Sequence, residues 1–107
     1  MDKRLSQYYK ALSNPVRLEV FSLIAQKSEG FAPESPKSEE TCVTVIAKKL
    51  QVPQPTVSNH IKVLEKAGLT KSVQSGTRSY NYLAKQAAQD LLHHSQHIFE
   101  QAHKHPY

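Results

Sequence analysis

Several features are scarce in this chain of 107 residues, and each scarcity excludes a class of protein. Cys42 is the single cysteine, so no intrachain disulfide can form, which suits a reducing compartment. No apolar run approaches the roughly 18 residues that a membrane-spanning helix needs, and residues 1–4 lead into an amphipathic pattern rather than a signal peptide. We therefore expect a cytoplasmic protein that makes no membrane contact.

The usual motifs of catalysis are missing as well. There is no glycine-rich phosphate loop, no paired acid in an apolar setting, and no Ser or Cys nucleophile with a base placed beside it. The aromatic stacking platform that single-stranded RNA requires is also lacking. We expect neither an enzyme nor an RNA-binding protein.

The balance of charge is basic. Lys and Arg total 14 against 9 acidic residues, which gives a net charge of +5 and a pI of about 9.4. This favours a polyanionic partner, although charge alone fits an ordinary basic protein equally well. The length predicts a single domain over residues 1–107, small enough for a partner subunit to help it bury apolar surface.

The most informative stretch, Val45 to Leu69, predicts two short helices joined by a turn. At about 100° per residue, the stretch that begins at Pro53 forms an amphipathic second helix with one packing face and one polar, cationic face. The packing face holds Val57, Ile61 and Leu64, and the polar face holds Asn59, Lys62 and Lys66. Pro55 suits the first turn, and Gly68 can end the helix in a left-handed cap. This pattern is typical of a helix-turn-helix, whose second helix enters the major groove of DNA.

Two helices are predicted before this motif. Residues 3–12 have apolar side chains at helical spacing, and Ser13 or Asn14 then caps a second helix with Pro15 in its first turn. We expect Arg17, one turn into that helix, to form a structural salt bridge rather than a DNA contact.

Residues 28–40 have no periodicity and are rich in Pro, Ser and Glu, so they predict a flexible loop. Ser38, followed by Glu39 and Glu40, is then expected to start the helix that carries Cys42, because acidic residues in a first turn interact favourably with the helix dipole.

After the helix-turn-helix, two β-prone segments flank Ser75-Gly76-Thr77, which predicts a hairpin or wing. Residues 84–104 then predict a long helix with an uninterrupted apolar stripe that must be covered. A two-fold partner that uses the first and last helices is the simplest cover.

Three motifs, Ala11 to Leu18, Gln54 to His60 and Lys66 to Leu69, resemble the ArsR/SmtB family of bacterial winged-helix repressors. The resemblance covers roughly residues 5 to 100, and residues 28–40 look like an insertion relative to the family. It implies a mainly α fold with a small β-hairpin, a winged helix-turn-helix that is dimeric through its first and last helices. It also implies a repressor that an effector releases from an inverted-repeat operator in double-stranded DNA.

The resemblance places DNA contacts on the second helix of the motif and on the wing. The family's base-facing segment corresponds to Gln54, Thr56, Ser58, Asn59 and His60, although the helical angle of His60 leans toward the core. Lys62 on the same helix adds positive charge, and Lys71 and Arg78 on the wing can reach backbone phosphates or the minor groove. An ordinary solvated charge is the alternative for Arg78.

The effector is less well defined. The family's Cys-Val-Cys pair is reduced here to Cys42-Val43-Thr44, and one thiolate cannot build an arsenic or zinc site. Cys42 is therefore either a small half-buried hydrophobe, which we favour, or a thiol sensor.

A histidine-rich helix end offers a second candidate sensor. If a metal is the effector, we predict that His93, His97 and Glu100 form its site, for zinc, nickel or cobalt, with His94, His103 and His105 accessory. The first alternative is that these imidazoles only decorate a polar helix end, where they interact favourably with the helix dipole. The second is that no metal acts, and that release follows modification of Cys42 or binding of an organic ligand near the dimer helices. The predicted function is a homodimeric, sequence-specific transcriptional regulator, and the alternative is a winged helix used only for protein–protein contact.

Overall fold

The computed structural model describes residues 3–28, 30–31 and 38–104. Within these ranges five α-helices, one short 3-10 helix and one hairpin follow one another along the chain. They are α1 (Lys3–Ala11), α2 (Pro15–Lys27), the 3-10 helix (Glu39–Thr41), α3 (Val43–Leu50), α4 (Gln54–Lys66), β1 (Thr70–Ser75), β2 (Arg78–Leu83) and α5 (Lys85–Lys104). This is the winged helix-turn-helix that the sequence predicts. None of the described helices is long and apolar enough to cross a membrane.

The core forms where α2, α3 and α4 pack together. Val57, Ile61 and Leu64, the predicted packing face of α4, are all buried. They meet Val20 and Ile24 of α2, Ile46 and Ala47 of α3, and Leu69 beyond α4. Because every turn of α4 is anchored by one of its own apolar residues, the helix presents its other side at a fixed orientation.

The turn between α3 and α4 is made by the backbone. Gln51 adopts a left-handed conformation (φ 56°) that ends α3. Pro53 precedes α4, and its carbonyl accepts hydrogen bonds from the amides of Thr56 and Val57 at 3.0 and 3.1 Å. Gly68 has φ 83°, as expected for the cap that ends the helix.

The wing is a two-stranded antiparallel hairpin in which Thr70 pairs with Leu83 and Ser75 with Arg78. Its base is attached to the segment before α3. Asn81, buried in β2, donates from its backbone N–H to Thr41 Oγ1 at 3.2 Å and from Nδ2 to the Thr41 carbonyl at 2.8 Å. Cys42 adds an isolated bridge to Tyr80.

This attachment corrects one prediction. Glu39 and Glu40 do open a helix, which Ser38 caps, but it is a single 3-10 turn that ends at Thr41. Cys42 lies between that turn and α3 and not within the helix, because Thr41 and Cys42 bond to β2 instead of continuing a helical ladder. Of the predicted loop at 28–40, residues 29 and 32–37 lie outside the described part of the chain.

The last helix begins on the body of the protein and extends beyond it. Ala87, in its first turn, is buried, and Asp90 contacts side chains of α1. Farther along, Leu92, Ile98 and Phe99 are 60, 53 and 68% exposed. The predicted apolar stripe is therefore real, and in a single chain much of it faces solvent.

Candidate nucleic-acid interface

The outer side of α4 is polar and accessible. Gln54, Thr56, Asn59 and Lys62 are exposed, whereas Ser58 and His60 are half-buried. No residue of the first turn of α4 is acidic. Because α4 is held from beneath by its apolar face, these side chains project from a rigid helix. The geometry suits hydrogen bonding to base edges in a major groove.

His60 differs from its neighbours because it turns toward α2. Its Nδ1 atom lies 3.4 Å from Nη1 of Arg17. Burial, followed by the charge of Arg17, lowers the pKa of His60 below its ordinary value of 6.5. His60 is thus arranged as a neutral acceptor for Arg17, in line with the inward lean predicted for it.

Arg17 forms no salt bridge with any described residue, contrary to the prediction. Its Nε donates to the carbonyl of Ala11, and its guanidinium reaches His60, so in the described part of the chain it contacts a carbonyl and an imidazole. The reason is local, because α1 ends at Ala11 and the last carbonyls of a helix have no partner within it. Arg17 satisfies one of them across the turn that Asn14 caps with its side chain.

The wing carries the two predicted cations. Lys71 is exposed in β1, and Arg78 is half exposed at the start of β2. Nη1 of Arg78 lies 3.0 Å from Oε1 of Glu39, and the charge of Glu39 is the main reason that the pKa of Arg78 is raised. Arg78 is therefore an ion-paired cation in the free protein.

A cleft of about 210 Å³ separates the wing from the first turns of α3 and α4. Its polar lining consists of Thr44, Gln54, Ser58, Thr77, Arg78 and Ser79. Thr44, Thr77 and Ser79 are not among the site residues that the sequence predicts, and neither is Glu39 as the partner of Arg78. A signal for Thr77 was available, since it sits in the predicted hairpin turn beside a cation.

Comparison with known proteins identifies the family. Residues 12–73 match the helix-turn-helix domain family. The chain is 34% identical to an uncharacterised HTH-type transcriptional regulator, YbzH, from Bacillus subtilis, over 69% of this chain and 77% of the relative. It is 33% identical to the HTH-type transcriptional repressor SmtB from Mycobacterium tuberculosis, over 83% of this chain and 52% of that protein. The chain belongs to the ArsR/SmtB family.

The fold of this ArsR/SmtB protein agrees with a solved relative. The homodimeric winged helix-turn-helix DNA-binding domain of a possible ArsR-family regulator from Mycobacterium bovis superposes with a TM-score of 0.65. The alignment covers 97% of this chain and 84% of that chain at 24% identity. The relatives are transcriptional regulators, so the prediction that the chain is not an enzyme is confirmed.

In the histidine-rich end of α5, some of the predicted metal ligands are exposed and others contact neighbouring side chains. His93, His97 and Glu100 are exposed, but the described residues of one chain contain no group of three His, Cys, Asp or Glu side chains placed to hold a metal ion. Nδ1 of the accessory His94 lies 2.5 Å from the hydroxyl of Tyr9, and the ring of His103 stacks on Phe99. His105 lies outside the described residues. A site shared between two chains stays a prediction.

Cys42 is a free thiol, 3% exposed, at the apolar edge of the cleft beside Arg78. Cys42 is thus more deeply buried than the half-buried hydrophobe that the sequence predicts, as a small apolar side chain in the core can be. Its role as a sensor also stays a prediction.

Proposed function

We propose that this ArsR/SmtB-family protein is a cytoplasmic, homodimeric repressor that binds an inverted-repeat operator in duplex DNA. The observation that supports this most is the arrangement of α4, whose apolar face is buried while Gln54, Thr56 and Asn59 point outward. A helix fixed in this way can read base edges without a large ordering cost on binding.

The proposal divides the contacts between base reading and backbone attraction. Gln54, Thr56, Ser58 and Asn59 read bases from α4, and Lys62 supports them with positive charge. Lys71 and Arg78 bind phosphates from the wing, which positions the protein without selecting sequence. His60 orients α4 through Arg17 and contributes less to base reading than the others.

Homodimerisation is supported by the exposed apolar side chains of α5 and by the homodimeric state of the M. bovis domain. Two copies related by a two-fold axis place two copies of α4 on one side of the duplex, with half-sites about one helical turn apart. Repression is supported by the name of the M. tuberculosis relative, an HTH-type transcriptional repressor.

For the effector, we propose a divalent metal bound by His93, His97 and Glu100 of two α5 helices, with nickel, cobalt and zinc as candidates. Their exposure leaves them accessible to a second chain. Metal would act by favouring one packing of the dimer, since a ligand of equal affinity for both states shifts nothing. Titrating DNA binding with each metal, in the wild type and in His97→Ala, tests this; equal responses in the two proteins would contradict it.

The DNA proposal is tested by selection. The purified protein is mixed with a pool of random duplexes, the bound DNA is recovered and amplified over several rounds, and the survivors are sequenced. An enriched inverted repeat is expected. Recovery of no enriched sequence, or of an unrepeated site bound by one chain, would contradict the proposal.

A further inference from the structure

The cleft between the wing and the helix-turn-helix is lined by Cys42 and Val43 and by residues that carry hydrogen-bond donors. The donor residues are Arg78, Gln54, Thr44, Ser58, Thr77 and Ser79. No carboxylate is found among the described residues that line it. A concentration of donors around one cation, with no acid among the residues that line the cleft itself, favours an oxyanion as the ligand.

The position of the cleft narrows the choice of oxyanion. One wall is the start of α4, where Gln54 and Ser58 belong to the base-facing segment, and the other is the turn of the wing, with Thr77 and Arg78. If α4 lies in a major groove, the sugar–phosphate strand at the edge of the groove passes between α4 and the wing. The oxyanion that would reach the cleft is therefore a backbone phosphate.

Arg78 already holds an oxyanion in the free protein. Oε1 of Glu39 lies 3.0 Å from its Nη1, and the two side chains are 68 and 50% exposed. An exposed ion pair of this kind is weak, because water solvates both partners well. A phosphodiester carries the same single negative charge as Glu39. Because the other contacts between the protein and DNA hold the phosphate close to Arg78, it can replace the carboxylate.

We propose that the cleft seats one phosphate of the DNA backbone, bound by Arg78 together with the hydroxyls of Thr77 and Ser58. Glu39 occupies Arg78 until this phosphate displaces it. The carboxylate thus competes with DNA and lowers the affinity of the wing, whereas Lys71 has no acidic partner among the described residues. This inference rests on the proposed function, because it names a contact within the same DNA interface.

The exchange is tested with a matched pair of acidic residues. Glu39→Gln removes the competitor of Arg78, and Glu40→Gln removes the same charge one residue away, where it faces Lys27 at 3.7 Å. Binding of a fluorescently labelled duplex of mixed sequence is followed by anisotropy over a range of salt concentrations. We expect Glu39→Gln to bind about two- to fivefold more tightly than the wild type, and Glu40→Gln to show a clearly smaller gain.

A double-mutant cycle assigns that gain to Arg78. Arg78→Gln should weaken binding and lower the salt slope by about one. In the Arg78→Gln background, Glu39→Gln should no longer strengthen binding beyond what Glu40→Gln does. Equal gains from Glu39→Gln and Glu40→Gln, or a gain that survives without Arg78, would overturn the exchange.

The seat itself is tested through a hydroxyl. Thr77→Val keeps the shape of the side chain but removes its donor, and Ser75→Ala removes a hydroxyl from the same turn outside the cleft. We expect Thr77→Val to weaken binding about two- to tenfold, the value of one hydrogen bond, and Ser75→Ala to have little effect. Equal effects of the two substitutions would overturn the seat. If the wild-type protein binds no duplex at all, that result would contradict both the proposed function and this inference.

Discussion

The phenolic oxygen of Tyr8 donates a 2.7 Å hydrogen bond to Oδ2 of Asp90 and so joins the first helix of the chain to the last. Nε of Arg4 lies 2.9 Å from the same oxygen, and Nε2 of Gln86 donates to Oδ1 at 2.8 Å. One carboxylate therefore holds together the two helices through which we propose that the protein dimerises. The orientation of α1 on α5, and with it the shape of the dimer face, depends on this group.

The contacts of Asp90 predict acid sensitivity. Hydrogen bonds from Arg4 and then from Tyr8 lower its pKa from 3.8 to about 2. Because the pKa is lower in the folded state, the ionised carboxylate stabilises the fold above pH 3.8, and this stabilisation is lost as the pH falls toward about 2. We expect Asp90→Asn to unfold at lower urea concentration than the wild type at neutral pH, with the difference shrinking in acid. A difference independent of pH would contradict the assignment.

The pairing of His60 with Arg17 predicts a second, milder pH dependence. Burial and Arg17 lower the pKa of His60 below 6.5, so folding favours the neutral ring. Stability from this source is complete above pH 6.5 and declines as the pH falls from 6.5 toward the folded-state pKa. We expect His60→Gln to lose less stability than the wild type on acidification through this range. Urea midpoints at matched pH values measure the change, and identical pH profiles would refute it.

The end of α4 predicts a cost for any side chain with a Cβ at position 68. Gly68 has φ 83°, and an added Cβ would lie 3.9 Å from the ring of Tyr8, an ordinary contact. The expected loss comes from backbone strain, about 1–2 kcal/mol for Gly68→Ala, and less for Gly68→Asn because asparagine tolerates this conformation better. Thermal or urea unfolding measures both variants. An alanine variant as stable as the wild type would show that the cap can relax.

The exposed apolar residues of α5 predict where the dimer forms. Phe99 is 68% exposed in the single chain, and Leu18 on α2 is a comparable exposed apolar residue, at 45%, in a groove lined by α2 and α3. We expect Phe99→Glu to shift the protein toward monomer in sedimentation velocity and Leu18→Glu to leave it dimeric. A monomeric Leu18→Glu variant together with a dimeric Phe99→Glu variant would show instead that the interface lies on α2.

Patterns that repeat within a few residues were enough to predict most of this fold. The burial of Val57, Ile61 and Leu64 follows from helical spacing, and the wing follows from two β-prone segments around Gly76. These features depend on neighbours in sequence, so the sequence contains their signal.

Contacts between distant segments could not be predicted in this way. Thr41 meets Asn81 across 40 residues, and Arg17 meets His60 across 43. Both pairings exist because packed helices bring separate turns together. The residues near Arg17 in the sequence do not show whether its guanidinium binds a carboxylate, a carbonyl or an imidazole. Glu39 and Arg78 are also far apart in the sequence, so neither their ion pair nor the cleft beside them could be predicted from local patterns.

Whether α4 reads bases is decided most directly by the ratio of two affinities, one for the selected inverted repeat and one for a duplex of mixed sequence. The ratio is measured for the wild type, for Asn59→Ala on α4, and for Gln89→Ala, which removes an exposed amide from α5. We predict that Asn59→Ala lowers the ratio by about tenfold or more, the value of a good base contact, and that Gln89→Ala leaves it unchanged. A ratio that stays at the wild-type value in Asn59→Ala would contradict base reading by α4.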